Sequence, residues 1–329
     1  MTILHVALVF LLGAALVSII AERLRLPYTV ALVIAGALAG LSRIPPSVAL
    51  TPDVLLTLVI PPLLFEGALR LSVEHLRTYA MLIGLLAIVG TIAAALAIAW
   101  AAAVVGHLSV PTALLLGAIA AAIDPVSVIA LIREAGLDAR LGTILQAEAV
   151  FNDGVVVVLF TILTGSAALV PLAAAGQFLW LLGVGGLVGL ALGVGIAQGL
   201  GRVTTQPLVE ALGSLILLAA SVVVAGSVGA SGIVAAMCAG VVFTRYRERM
   251  LTEAGREIVG TLWDVIAFLA NSALFLFIGL QVPVALLVRY WGLIAVVVIA
   301  ALAMRALVVY GFAALSERRG MPVPRPWRP

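Results

Sequence analysis

Residues 111–132 read PTALLLGAIAAAIDPVSVIALI, an apolar run with one charged residue, Asp124, directly before Pro125. About 20 apolar residues in a helix cross the hydrocarbon core of a bilayer. Pro125 has no N–H to donate to the carbonyl of Ala121, and Asp124 can cap a helix that starts at the proline. The run therefore predicts two half-helices that meet inside a membrane, where freed backbone groups line an ion site. A proline kink capped by its own aspartate is the alternative interpretation.

The rest of the chain has the same character. Of its 329 residues, 64% are hydrophobic and 10% are charged, and the mean hydropathy is +1.29. Soluble domains are about 45–50% apolar and about 25% charged, which argues against a cytosolic enzyme, a disordered chain and a nucleic-acid-binding protein. Arginine clusters and Pro/Gly breaks predict eleven helical spans, at residues 3–20, 28–42, 52–69, 79–105, 111–132, 142–164, 177–199, 207–227, 231–244, 263–282 and 290–315.

We therefore expect an all-α, polytopic bundle in the lipid bilayer, with a transmembrane domain over residues 1–316 and a short basic tail over 317–329. The longest connection, about 245–262, reads as a charged amphipathic loop. The first span lacks a basic leader and a small-residue cleavage pattern, so we expect a retained helix and not a signal peptide. The single cysteine, Cys238, excludes an intrachain disulfide.

The arginines predict the orientation. All 18 basic residues are arginine, and most lie in short loops between spans. If Arg23 and Arg25 are cytoplasmic, fifteen arginines lie on that side, Arg43 and Arg289 lie outside, and Arg305 lies within a span. Because cytoplasmic loops of membrane proteins are enriched in basic residues, the N-terminus is expected outside and the C-terminus in the cytoplasm. The predicted location is the inner (plasma) membrane.

Some ionisable residues fall within the spans. An isolated charge at the centre of a membrane helix costs about 2.5–3.5 kcal/mol on insertion scales. Such residues usually mark an ion or substrate path, although paired or capping groups that specify packing are the alternative. The five residues are Glu66, Asp124, Glu148, Asp153 and Arg305.

The sixth span carries QAEAVFNDG at residues 146–154. Asp153 shares a helix face with Ala149, whereas Glu148 and Asn152 share a different face. A carboxylate in low dielectric binds protons more tightly than one in water, so protons and metal cations can compete for it. Hard monovalent cations prefer oxygen ligands. Candidate ligands are Asp153, Asn152, Glu66 and the freed carbonyls near Ala121.

Two of the charges have further interpretations. Glu66 follows Pro61 and Pro62 near the cytoplasmic end of its span, where a carboxylate that simply reaches water is the alternative to an ion ligand. Arg305 lies deep within the last span and needs an anion. Glu148 is the preferred partner, since the pair would neutralise both charges.

Several segments together resemble the monovalent cation:proton antiporters. They are AERLRLPY (21–28), PPLLFEGAL (61–69), DPVSV (124–128), Glu148 with FNDG (151–154), and FIGLQ (277–281). In order and spacing they are most similar to the electroneutral bacterial sodium/proton antiporters of the NhaP type, relatives of the animal sodium/proton exchangers.

The resemblance implies roles for the residues already singled out. Asp153 would carry a proton or a cation in alternation, Asn152 would stand where electrogenic relatives have a second aspartate, and Glu66 would help to hold Na⁺ with Asp153. Asp124 and Pro125 would form the helix break, with Asp124 balancing the half-helix dipoles, and Glu148 would pair with Arg305.

The resemblance also implies an inverted-repeat antiporter fold, a homodimer and an elevator-like movement of a core domain. The expected function is electroneutral exchange of a monovalent cation, Na⁺ above Li⁺ or K⁺, for H⁺. No cofactor beyond the transported ions and no nucleic-acid partner is expected. An enzyme is not expected either, since the sequence offers no nucleophile and base pair, nucleotide loop or metal cluster.

The sequence departs from the family at two positions near the proposed cation. Ile123 stands where the family usually has threonine, and Ala149 where it usually has serine, so two hydroxyl oxygens are missing. Related chains also typically continue for two further spans. These departures favour, as alternatives, a K⁺/H⁺ antiporter or a transport-inactive or truncated homologue with a role in assembly.

Overall fold

The computed structural model describes residues 3–24, 26–41, 55–123, 139–165, 170–203 and 206–318, and within these ranges the chain forms thirteen helices. They are α1 (Ile3–Leu24), α2 (Tyr28–Leu41), α3 (Leu55–Leu69), α4 (Val73–Thr78), α5 (Ala80–Gly106), α6 (Val110–Ala120), α7 (Ala139–Thr164), α8 (171–203), α9 (Pro207–Ser227), α10 (Gly232–Met250), α11 (Glu253–Gln281), α12 (Val284–Arg289) and α13 (Trp291–Arg318). Helices α3, α5 and α8 each contain a π-helical turn, at Leu55–Val59, Leu85–Gly90 and Trp180–Val184.

Each of the eleven predicted spans contains a helix within its described residues, and α4 and α12 are short additions in the connections. The all-α prediction is confirmed. Among the helices of the described residues, six are long and apolar enough to cross a membrane: α5, α7, α8, α9, α11 and α13. The number of spans and their orientation stay predictions.

The connection predicted over residues 245–262 is wrong. Helix α10 continues to Met250 and α11 begins at Glu253, so only two residues separate them. Thr252 starts α11 because its side chain accepts a hydrogen bond from the backbone N–H of Gly255 at 3.0 Å. Such a cap satisfies one of the free donors at a helix start. The helix begins about three turns before the apolar span that was predicted from residue 263.

Close helix crossings form at glycines. A β-carbon on Gly36 of α2 would overlap the carbonyl oxygen of Leu276 in α11, and one on Gly117 of α6 would overlap that of Ala95 in α5. In membranes, where lipid is as apolar as the helix surface, small residues allow the close van der Waals contact that holds helices together. These crossings fix α2 on α11 and α6 on α5.

The helices form two neighbouring groups with α7 in contact with both. In the first group, α10 packs against α3, α8 and α9, and α11 packs against α2, α3 and α9. In the second group, α5 packs against α6 and α13. The aromatic centre of the first group is formed by Phe65, Phe243 and Trp263, and the rings of Phe65 and Trp263 lie 4.6 Å apart. Large apolar side chains such as Trp100 and Leu172 remain exposed on the outside of the bundle, as expected for surfaces that face lipid.

Candidate ion-translocation site

A buried ion pair links α7 and α13. Arg305 donates from both of its Nη atoms to the two carboxylate oxygens of Glu148. The Glu148 side chain is fully buried, and the Arg305 side chain is 26% exposed. The planar guanidinium matches a carboxylate in this two-pronged geometry, so the pair satisfies its hydrogen bonds as well as its charges. The structure thus brings together the two residues that the sequence analysis paired.

Asn152 lies one turn from Glu148 on α7 and is also fully buried. Its Nδ2 donates to the hydroxyl of Thr91 in α5 and, at 3.2 Å, to the carbonyl of Ala121. Ala121 directly follows the last residue of α6, where carbonyls lack intrahelical partners. The amide therefore ties α7 to α5 and to the end of α6.

Asn152 and the freed carbonyls near Ala121 were predicted as cation ligands, whereas in the structure Asn152 donates a hydrogen bond to the Ala121 carbonyl. The Oδ1 atom of Asn152 is buried and accepts no hydrogen bond from the described residues. This oxygen therefore remains available as a cation ligand. Thr91 was not predicted as part of the site, although its hydroxyl within the apolar run of α5 indicates a polar contact of this helix.

These residues line a cavity of about 450 Å³ between α5, α6, α7 and α13. Its wall includes Thr91, Glu148, Asn152, Arg305 and Ile123, and the remainder is mostly apolar. Ile123, the position where the resemblance leads one to expect threonine, therefore lies on the cavity wall next to the polar groups.

Asp153 lies on a different side of α7. Val150, three residues earlier, faces α3, because a β-carbon on Gly67 would lie 3.1 Å from its Cγ2 atom. Residues three apart share a side of a helix, which directs the half-buried Asp153 toward α3 and away from the Glu148 side. Ala149 is 1% exposed, so the position of the second missing hydroxyl is enclosed on the Asp153 face.

Glu66 lies near the end of α3 and is 9% exposed. Arg70, one turn further on, donates from Nε to Glu66 and from Nη2 to Oδ1 of Asp264 in α11, the latter at 2.9 Å. The three residues line a second cavity of about 400 Å³, together with Thr244 and Trp263. Glu66 and Asn152 thus lie in different cavities. Neither the contact of Glu66 with Arg70 nor that of Arg70 with Asp264 was predicted from the sequence.

Asp124 and Pro125 lie outside the described residues, so the helix break itself stays a prediction. Helix α6 ends at Ala120, four residues before Asp124, and Ala121 to Ile123 are not helical. The first half of the predicted broken span therefore stops where the apolar run approaches the Asp-Pro pair.

Comparison with known proteins identifies relatives over nearly the whole chain. Residues 8–328 match the family model described as "Sodium/hydrogen exchanger, transmembrane". The chain is 36% identical to the Na⁺/H⁺ antiporter ApNhaP of Aphanothece halophytica, over 93% of this chain and 60% of the relative. It is 31% identical to the low-affinity Na⁺/H⁺ antiporter NhaS1 of Synechocystis, over 89% of this chain and 56% of the relative.

The chain thus spans about 60% of the length of these relatives. Among solved structures, the sodium proton antiporter MjNhaP1 of Methanocaldococcus jannaschii superposes with a TM-score of 0.80 at 23% identity. The superposition covers 93% of this chain and 76% of the other. At this identity the likeness concerns the fold, and it shows that the helices are arranged as in that protein.

Proposed function

The chain belongs to the sodium/hydrogen exchanger family, and from this premise we propose that it exchanges Na⁺ for H⁺ with Asp153 as the carrier of either ion. The family is one of multi-pass membrane transporters and not of enzymes, in agreement with the sequence analysis. The relatives named above are Na⁺/H⁺ antiporters, which supports the same ions for this chain.

The observation that carries the proposal is the position of Asp153. It is a half-buried carboxylate within a 26-residue helix that contacts both groups of helices, next to the fully buried Asn152. Intramembrane carboxylates of this kind mark ion paths. Glu66 lies on α3, the helix that the Asp153 side of α7 faces, and is the second oxygen donor of the proposed site.

The charges near Asp153 support an electroneutral cycle. Glu148 and Arg305 neutralise each other, and Asn152 adds no charge. One proton or one Na⁺ is then sufficient to neutralise Asp153. The loaded site is therefore neutral whether it carries H⁺ or Na⁺, and exchange of one ion for the other moves no net charge across the membrane. Movement of α5, α6, α7 and α13 as one body past the first helix group, within a homodimer, is the alternating-access step that we propose.

The test is Na⁺-driven dissipation of a preset pH gradient in inside-out vesicles from antiporter-deficient bacteria. The full chain is expected to collapse the gradient on addition of Na⁺. Asp153→Asn should abolish the response, because an uncharged amide cannot carry the proton and cannot neutralise the bound cation. Glu257→Gln, which removes an exposed carboxylate of α11, is the matched control and should respond like the wild type.

Electroneutrality is checked by collapsing the membrane potential with an ionophore, which should leave the rate unchanged. A full response from Asp153→Asn would refute the carrier role. If a well-inserted wild type responds to K⁺ and not to Na⁺, the alternative of K⁺/H⁺ exchange replaces the proposal. No response to Na⁺, Li⁺ or K⁺ would favour the transport-inactive alternative, which the missing hydroxyls at Ile123 and Ala149 motivate.

A further inference from the structure

Arg70 bridges two carboxylates that belong to different helices. Its Nε donates to Glu66 on α3, and its Nη2 donates to Asp264 on α11 at 2.9 Å. Glu66 is enclosed, with its side chain 12% exposed, whereas the side chains of Arg70 and Asp264 are 56% and 66% exposed. The guanidinium therefore lies at the rim of the 400 Å³ cavity, between an enclosed carboxylate and an open one.

The position of Arg70 conflicts with the role proposed for Glu66. Glu66 is to supply oxygen to the transported cation, yet in the structure a permanent cation of the protein occupies it. Two positive charges within about 4 Å of each other repel, by an amount that grows as water is excluded. Na⁺ and Arg70 therefore bind Glu66 in competition, and Arg70 has to withdraw before the cation site is complete.

Asp264 is a second carboxylate that Arg70 can bind when it releases Glu66. It already holds the Nη2 end of the guanidinium, and it lies on the open side of the cavity. A long arginine side chain with one end held can turn its other end away from Glu66 without leaving the cavity. The contact with Asp264 also balances the positive charge of Arg70 after Arg70 has released Glu66.

We propose that Arg70 is a positioning residue that occupies Glu66 until the transported cation displaces it, and that Asp264 sets the affinity for that cation by holding the displaced arginine. The proposal rests on the proposed function, since it assumes that Glu66 is a cation ligand. It adds a built-in competitor to the site, which lowers the apparent cation affinity of the transporter and eases release of the cation toward this cavity.

The test is the KM for Na⁺ in the vesicle assay, with the Asp153-dependent rate as the readout. Arg70→Gln removes the competitor and should lower KM by about two- to five-fold, the size of a partly exposed ion pair. Asp264→Asn removes the alternative partner, leaves Arg70 on Glu66 and should raise KM by a similar factor. The two variants thus shift KM in opposite directions, which loss of structure alone would not do.

The double variant separates this mechanism from a simple field effect. If the two charges acted only through their fields, the opposite shifts would add and the double variant would have nearly the wild-type KM. If Asp264 acts through Arg70, the double variant should have the same KM as Arg70→Gln alone. Additive shifts, or a KM that Arg70→Gln leaves unchanged, would overturn the proposal.

Arg77→Gln is the matched control, because it removes one exposed arginine from the neighbouring helix α4 and should leave KM unchanged. Should Arg70→Gln fail to insert, Asp264→Asn, an exposed substitution, still decides the sign, and a fall in its KM would count against the proposal. If the wild-type protein shows no Asp153-dependent exchange, the proposed function itself is refuted. The two failures are therefore distinguishable.

Discussion

At the scale of single residues, the Glu148–Arg305 pair shows how a charge is accommodated inside the bundle. Removing a carboxylate from water costs several kcal/mol, and a well-oriented partner offsets most of that penalty. The bidentate contact in the structure supplies such a partner. The sequence predicted the pair because Arg305 is too deep to reach water and needs an anion, an argument that holds without knowledge of the fold.

Breaking this pair on one side should destabilise the protein more than removing it altogether. Glu148→Leu or Arg305→Met alone leaves one unpaired charge and should cost about 3–5 kcal/mol, whereas the double variant should be close to neutral. The measurement is the temperature at which the purified protein in detergent loses its monodisperse gel-filtration peak. Arg77→Met serves as the exposed control, and a double variant that is less stable than both single variants would contradict the expectation.

Restoring a hydroxyl beside Asp153 should raise the affinity for the cation. Ala149→Ser places an oxygen on the Asp153 face of α7, where an additional ligand or hydrogen bond is worth about 0.5–1.5 kcal/mol. The KM for Na⁺ should therefore fall by about two- to ten-fold. Ala147→Ser is the control, since Ala147 is equally buried on the same helix but points to another side. Equal KM values for the two variants would place the cation away from Ala149.

At the scale of helices, hydrophobic runs and arginine clusters predicted where most helices lie. This is possible because each membrane helix forms its backbone hydrogen bonds within its own segment. The start of α11 was not predictable in this way. The Thr252 cap that starts α11 is itself held by Glu210 of α9. Glu210 is 1% exposed and accepts hydrogen bonds from the N–H and the hydroxyl of Thr252, at 3.2 and 3.0 Å. Such a contact between helices far apart in the sequence leaves no local pattern.

The glycine crossings yield a test at this scale that uses two residues of one helix. A β-carbon on Gly189 of α8 would overlap the carbonyl oxygen of Ala235 in α10, whereas Gly195 of the same helix has open space. Gly189→Ala should therefore destabilise the protein by about 1–3 kcal/mol, and Gly195→Ala should stay within about 0.5 kcal/mol of the wild type. The same thermal assay in detergent compares them. Equal stability would mean that α8 and α10 separate easily.

At the scale of the whole molecule, the sequence predicted which residues carry charge in the membrane but not how they are distributed between cavities. Glu148, Asn152 and Arg305 line one cavity, whereas Glu66 lines another with Asp264. Spacing along a helix predicts which side chains share a face, and it cannot predict which other helix that face meets. The pairing of Arg70 with Asp264, 194 residues apart, is therefore a property of the fold alone.

The predicted orientation of the molecule decides from which side of the membrane ions reach each cavity. With fifteen arginines on one side and two on the other, the positive-inside rule places Arg249 in the cytoplasm and Arg289 outside. Because Cys238 is the only cysteine, Cys238→Ser gives a background in which one new cysteine reports one position. Arg289→Cys should react with a membrane-impermeant maleimide in intact cells, and Arg249→Cys, also exposed, only after permeabilisation. The reverse pattern would invert the molecule and place the cavity of Glu66 and Arg70 on the outer side, so that Arg70 would compete with cations that arrive from outside the cell.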